Sequence, residues 1–89
     1  MRISVDERDP GHRLHAEAKA QGIDFIVTLD GVRQLEAITA DDLSGEVVRH
    51  AVDALGNLKL DPARPGEALR ETVRGRVRII RKHPYWRQD

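Results

Sequence analysis

Eighty-nine residues without a cysteine limit this chain to one domain that no disulfide or thiolate metal site can staple. No apolar run approaches the roughly 18 residues a membrane span needs, and no signal-peptide pattern opens the chain, so the sequence predicts a soluble, unexported protein. The formal charge of zero hides a division. Residues 69–89 hold seven Arg/Lys against Glu71 and Asp89, a net +5, whereas residues 1–68 hold eight basic and thirteen acidic residues, a net −5.

Ile3 and Val5 alternate with Arg2 and Ser4, which predicts a short first strand broken by Asp9-Pro10-Gly11. His12 to Gln21 reads as a helix or as an ordered loop. Asp9 is a candidate cap, Pro10 a candidate first-turn residue and Gly22 a candidate stop, but the apolar face is poor. Asp24 to Leu29 is the clearest strand, with Phe25, Val27 and Leu29 on one side. Asp30-Gly31 is a hairpin turn into a strand over Val32–Thr39. After Asp41-Asp42 and Ser44-Gly45, Glu46 to Asp53 resumes the pattern, with Val48 and Val52 on one face and Val47 and Ala51 on the other. Gly56-Asn57 turns the chain into Leu58-Lys59-Leu60, and the loop Asp61 to Gly66 leads to a last strand over about Glu71–Ile80.

Five or six short strands without intervening long helices predict a mainly β fold, a small antiparallel sandwich or open barrel. Residues 1–81 form the domain and 82–89 a C-terminal arm. The expected core comprises Ile3, Val5, Phe25, Val27, Leu29, Leu35, Val48, Val52, Val73, Val77 and Ile79.

Two features bear on function. Tyr85 and Trp86 stand among the last five residues after Pro84, and with Arg81, Lys82 and Arg87 they make a candidate interface. Arg74, Arg76 and Arg78 share one face of the expected last strand, a stripe suited to phosphate or to an acidic partner, unless cross-strand carboxylates neutralise it. His12 and His15 lie three apart but lack a third ligand at recognisable spacing, His50 reads as a partly buried strand residue, and His83 marks a strand end. Asp41-Asp42 reads as a turn or strand-end cap, and Ser44-Gly45 has no nucleophile-elbow setting. The residues therefore predict no catalytic set, cofactor or metal.

Asp9-Pro10-Gly11, Val27 to Val32, Thr39 to Asp42, Gly56-Asn57-Leu58 and Gly75 to Ile79 follow one another in an order that resembles small proteins of tailed-phage and prophage genomes. That family tends to show a DPG turn, a strand ending in LDGV, an acidic ADE-type turn, a GN hairpin and a closing G-x-V-R-I strand. The likeness runs from Asp9 to Ile80 and excludes the His12–Gly22 stretch and the tail. It implies a phage setting, in the virion or the host cytoplasm, rather than a mechanism. The expectation is a non-enzymatic structural or assembly protein that associates with itself or with other phage structural proteins. A small nucleic-acid-binding module using the arginine stripe is the alternative.

Overall fold

A computed structural model describes residues 1–35 and 37–84. Within them the elements run β1 (Arg2–Ser4), α1 (His12–Ala20), β2 (Asp24–Leu29), β3 (Val32–Arg33), β4 (Ala37–Asp41), β5 (Glu46–His50), β6 (Arg70–Arg74) and β7 (Val77–Lys82). All strand pairs are antiparallel. They make a four-stranded sheet in the order β1-β4-β5-β6 and a three-stranded sheet in the order β3-β2-β7, not closed into a barrel. The expected mainly β, antiparallel class holds, with seven strands in place of five or six.

Side-chain alternation explains how the two sheets meet. Val27 and Val77 project from the three-stranded sheet into the same buried cluster as Ile3, Ala40 and Val47 of the other sheet. Ile3, Ala40, Val47 and Val73 stand at one register across β1, β4, β5 and β6, so one row of side chains covers the four-stranded face. Phe25, Leu29 and Ile79 pack around this cluster. Val47 is fully buried. A side chain of that kind stabilises the fold by about 1.5–3 kcal/mol, a large share for a domain this small.

Several expectations are corrected. Val32–Thr39 is not one strand: β3 ends at Arg33 in one sheet and β4 begins at Ala37 in the other, with an extra residue at Ile38 in its pairing with β5. The expected last strand is likewise two, β6 and β7, in different sheets. In β5 the buried phase is Val47, and Ala51 follows it, while Val48 is half-buried and Val52 exposed. Val5 and Leu35, expected inside, are also exposed. Ile38, Ala40 and Ala18 complete the buried set instead.

The His12–Gln21 stretch is helical over His12–Ala20, and Ala18 and Leu14 turn toward the core. Gly11, not Asp9, is its N-cap, and no side chain caps it. Asp9 instead receives two guanidinium hydrogen bonds from Arg2 (2.9 and 2.7 Å) and one from the Gly11 amide (2.7 Å), pinning the loop before the helix onto β1. Asp41 ends its strand as a cap, accepting from the Leu43 and Ser44 amides at 2.9 and 3.1 Å.

These contacts set an acid response. The Arg8 amide and Arg70 hold the Asp6 carboxyl down at about 2, and the Arg2 guanidinium holds Asp9 below its ordinary 3.8. The Ser44 and Leu43 amides and Arg2 lower Asp41, and burial lowers His15 below its ordinary 6.5. In all four the unfolded chain binds the proton more readily, so stability falls as pH falls. Urea melts should show a shallow decline below pH 6.5 from His15, then a steeper one below 3.8 from these three aspartates and from Asp53, which the Asn57 and Leu55 amides lower likewise, continuing toward pH 2. Stability that rises on acidification through either window would contradict these assignments.

Candidate interaction surface

On the three-stranded sheet, Phe25, Val27, Leu29, Val77 and Ile79 face the core, so the intervening residues face outward. Thr28 lies directly between Arg33 of β3 and Arg78 of β7. Ile26 faces Ile80, and Asp24 faces Lys82. With strands about 4.8 Å apart, Arg33 and Arg78 stand roughly 10 Å from one another across Thr28. Lys82 stands roughly 13 Å along β7 from Arg78, at the rise expected for antiparallel strands. The outer face thus has a half-buried Ile26–Ile80 pair at its middle and cations at its margins.

Arg76 joins the end of this face. Its amide donates to the Asp30 carboxylate (2.8 Å) and its carbonyl accepts from the Asp30 amide (2.9 Å), which places it beside Gly31 and Arg78.

The electrostatics of the two sheets differ. On the four-stranded sheet Arg2 meets Asp9 at 2.7 Å, Arg49 meets Glu71 at 2.9 Å, Arg70 meets Asp6 at 2.9 Å and Arg74 meets Glu46 at 2.8 Å. The Arg49–Glu71 and Arg74–Glu46 pairs are directly opposed in register. None of Arg33, Arg76, Arg78 and Lys82 joins an ion pair among the described residues. Four cations, with only Asp24 and Asp30 beside them among the described residues, give the outer face of the small sheet a positive character that the larger sheet lacks.

The residues singled out in the sequence separate accordingly. Arg74, Arg76 and Arg78 do not form a stripe, because β6 ends at Arg74 and β7 starts at Val77 in the other sheet. Arg74 is neutralised by Glu46, whereas Arg76 and Arg78 remain on the open face. Lys82 is the last residue of β7 and shares that face; Arg81 points the other way, toward Leu14, Glu17 and His83 beside α1. Tyr85, Trp86 and Arg87 lie outside the described residues. Arg33, Ile26 and Ile80 are additions that charge density alone does not reveal; only the pairing of β2 with both neighbours brings them together.

A second surface is an arm between β5 and β6, residues 51–69. Its backbone closes through Lys59 N to Ala51 O (3.0 Å), Ala51 N to Leu69 O (2.8 Å) and Leu69 N to Lys59 O (2.8 Å). Bridges pair Val52 with Leu58 and Leu60 with Ala68, so these four share one face. Val52, Leu58 and Leu60 are exposed on it, and Leu55 at the turn is 87% exposed. Asp53 and Asp61 fix the turns, accepting from the Leu55 and Asn57 amides (2.8 and 3.0 Å) and from the Ala63 amide (2.9 Å).

A cleft of about 150 Å³ beside α1 is lined by Ser4, Thr39, Phe25 and His15. The buried Ser4 and Thr39 hydroxyls bond to one another at 2.7 Å, Ser4 Oγ also accepts from the Asp6 amide, and the His15 ring lies 6.4 Å from that of Phe25. No His15–Ser4 hydrogen bond forms, and among the described residues no three His, Asp or Glu side chains gather at metal-binding distance. No helix among them is long and apolar enough to cross a membrane.

Compared with protein-family models, curated proteins and solved structures, the chain matches none.

Proposed function

We propose that this domain is a non-enzymatic structural or assembly component that acts through protein–protein contact, with the outer face of the three-stranded sheet as its docking surface. The observation that carries this reading is the placement of Arg33, Arg76, Arg78 and Lys82 around Ile26 and Ile80, while the cations of the other sheet are neutralised within the chain. An apolar centre with a charged rim is the anatomy of a protein interface. The cations steer and orient a partner that presents carboxylates. The apolar Ile26–Ile80 centre has no use for a phosphate backbone, which favours a protein partner over nucleic acid. The resemblance of the chain to phage and prophage proteins makes a virion accessory component, working in the virion or the host cytoplasm, the natural setting.

Particles purified from the host that carries the gene, analysed by mass spectrometry, should contain the chain. Arg78→Glu combined with Lys82→Glu should exclude it while the purified variant keeps its melting profile. Absence of the wild-type chain from particles would remove the virion role. Labelled DNA bound tightly at low salt and released steeply as salt rises would instead assign the face to nucleic acid.

A further inference from the structure

We propose that the docking partner of this face is the arm of a second copy: Val52, Leu58 and Leu60 of one chain cover Ile26 and Ile80 of the next, with the tip residue Leu55 at the edge of the contact. This rests on the reading of that face as a docking surface. The arm exposes Val52, Leu55, Leu58 and Leu60 to water, the face offers the half-buried Ile26–Ile80 pair, and the two carry net charges of opposite sign. The arm places Asp53 and Asp61 at its two turns, and backbone donors from Asn57 and Leu55 hold the Asp53 carboxyl below its ordinary value, so it stays anionic. The receiving face offers Arg33, Arg76, Arg78 and Lys82 without ion-pair partners among the described residues.

The arm is also well suited to insertion. Its two turns and three interlocking backbone hydrogen bonds order it before contact, so little conformational entropy is lost on docking. The arm carries Asp53, Asp61 and Glu67 against Lys59 and Arg64, a net −1, and the face carries four cations against Asp24 and Asp30, a net +2, so arm and face attract while two faces repel. The arm leaves the four-stranded sheet at its His50–Arg70 end, whereas the receiving face belongs to the other sheet. Two different patches in contact make a heterologous interface, which propagates into a ring or a filament.

Light scattering and sedimentation from micromolar to millimolar protein test this. The wild-type mass should rise through dimer to larger species. Leu60→Asp on the arm and Arg78→Glu on the face should each weaken association at least tenfold; both positions are exposed, and Leu55→Asp provides a second arm variant. Equimolar Leu60→Asp and Arg78→Glu proteins should form a dimer and stop there, because such a pair retains one intact arm and one intact face. A wild type that remains monomeric at millimolar concentration overturns the inference, as does a mixture that stays monomeric. Association blocked by Leu60→Asp but untouched by Arg78→Glu also overturns it, since arms would then meet arms. If the wild type is monomeric yet Arg78→Glu with Lys82→Glu still excludes the chain from particles, the docking surface stands and its occupant is a different protein.

Discussion

Val47→Asp is expected to abolish the cooperative unfolding transition, while Val48→Asp, one residue along, leaves a folded protein. Val47 is fully buried between Ala40 and Val73, in the cluster shared by both sheets. A carboxylate there has no polar partner within the apolar cluster, and its burial costs several kcal/mol even after it takes up a proton. A chain of this length has roughly 4–13 kcal/mol of total stability, so the substitution consumes most or all of it. Val48 lies on the opposite face between Thr39 and Thr72 and is only partly covered. A polar replacement there should cost about 1–2 kcal/mol. Urea titration followed by circular dichroism separates the two outcomes. If Val48→Asp is the variant that fails to fold, β5 sits in the opposite phase and the core described above is wrong.

Gly45→Ala should destabilise the domain by about 2–4 kcal/mol, since backbone strain and steric overlap add. Gly45 has φ +74°, and a methyl group there would stand 2.6 Å from the Gly75 carbonyl oxygen. The Gly75 amide donates to the Gly45 carbonyl at 2.9 Å, so this close approach joins the β4–β5 turn to the passage from β6 to β7. Gly56→Ala is the control. Gly56 has a similar φ of +84° but open space around it, so it should carry the conformational cost alone, about 1 kcal/mol. Equal losses in the two variants would show that the 45–75 contact contributes nothing.

The local features of this fold are legible in the sequence because their causes are local. Asp30-Gly31 makes the expected tight turn with φ +49° and +83°, and Asp41 caps its strand through its own side chain. What the sequence hides are decisions made by partners distant in the chain. In Val47-Val48 either phase satisfies a strand, and the choice falls to Ala40 and Val73 on the neighbouring strands. Two chain crossings between sheets are hidden as well. At Arg33-Gln34 the apolar phase shifts from Val32 to Leu35, and an isolated glycine at 75 inside a strand pattern signals a bend, but neither tells which sheet the chain enters next.

The candidate surface shows the same limit. Arg76, Arg78 and Lys82 are visible as a charge cluster, yet Arg33 and Ile26 join them only through the pairing of β2 with β3 and β7. Arg74 leaves the group because Glu46 faces it across the sheet. The exposed face of the arm follows from two bridges that turn Val52, Leu58 and Leu60 to one side, a consequence of register that composition cannot convey.

The most direct test of the small sheet as the working surface is a map of backbone amide shifts in isotopically labelled protein as its concentration is raised. The amides of Ile26, Thr28, Arg78 and Ile80 should move together with those of Leu58 and Leu60, while Thr39, Val48 and Thr72 on the larger sheet stay still. A spectrum unchanged up to millimolar protein would remove the second copy as the occupant, and shifts confined to the larger sheet would contradict the account of the small sheet as the working surface.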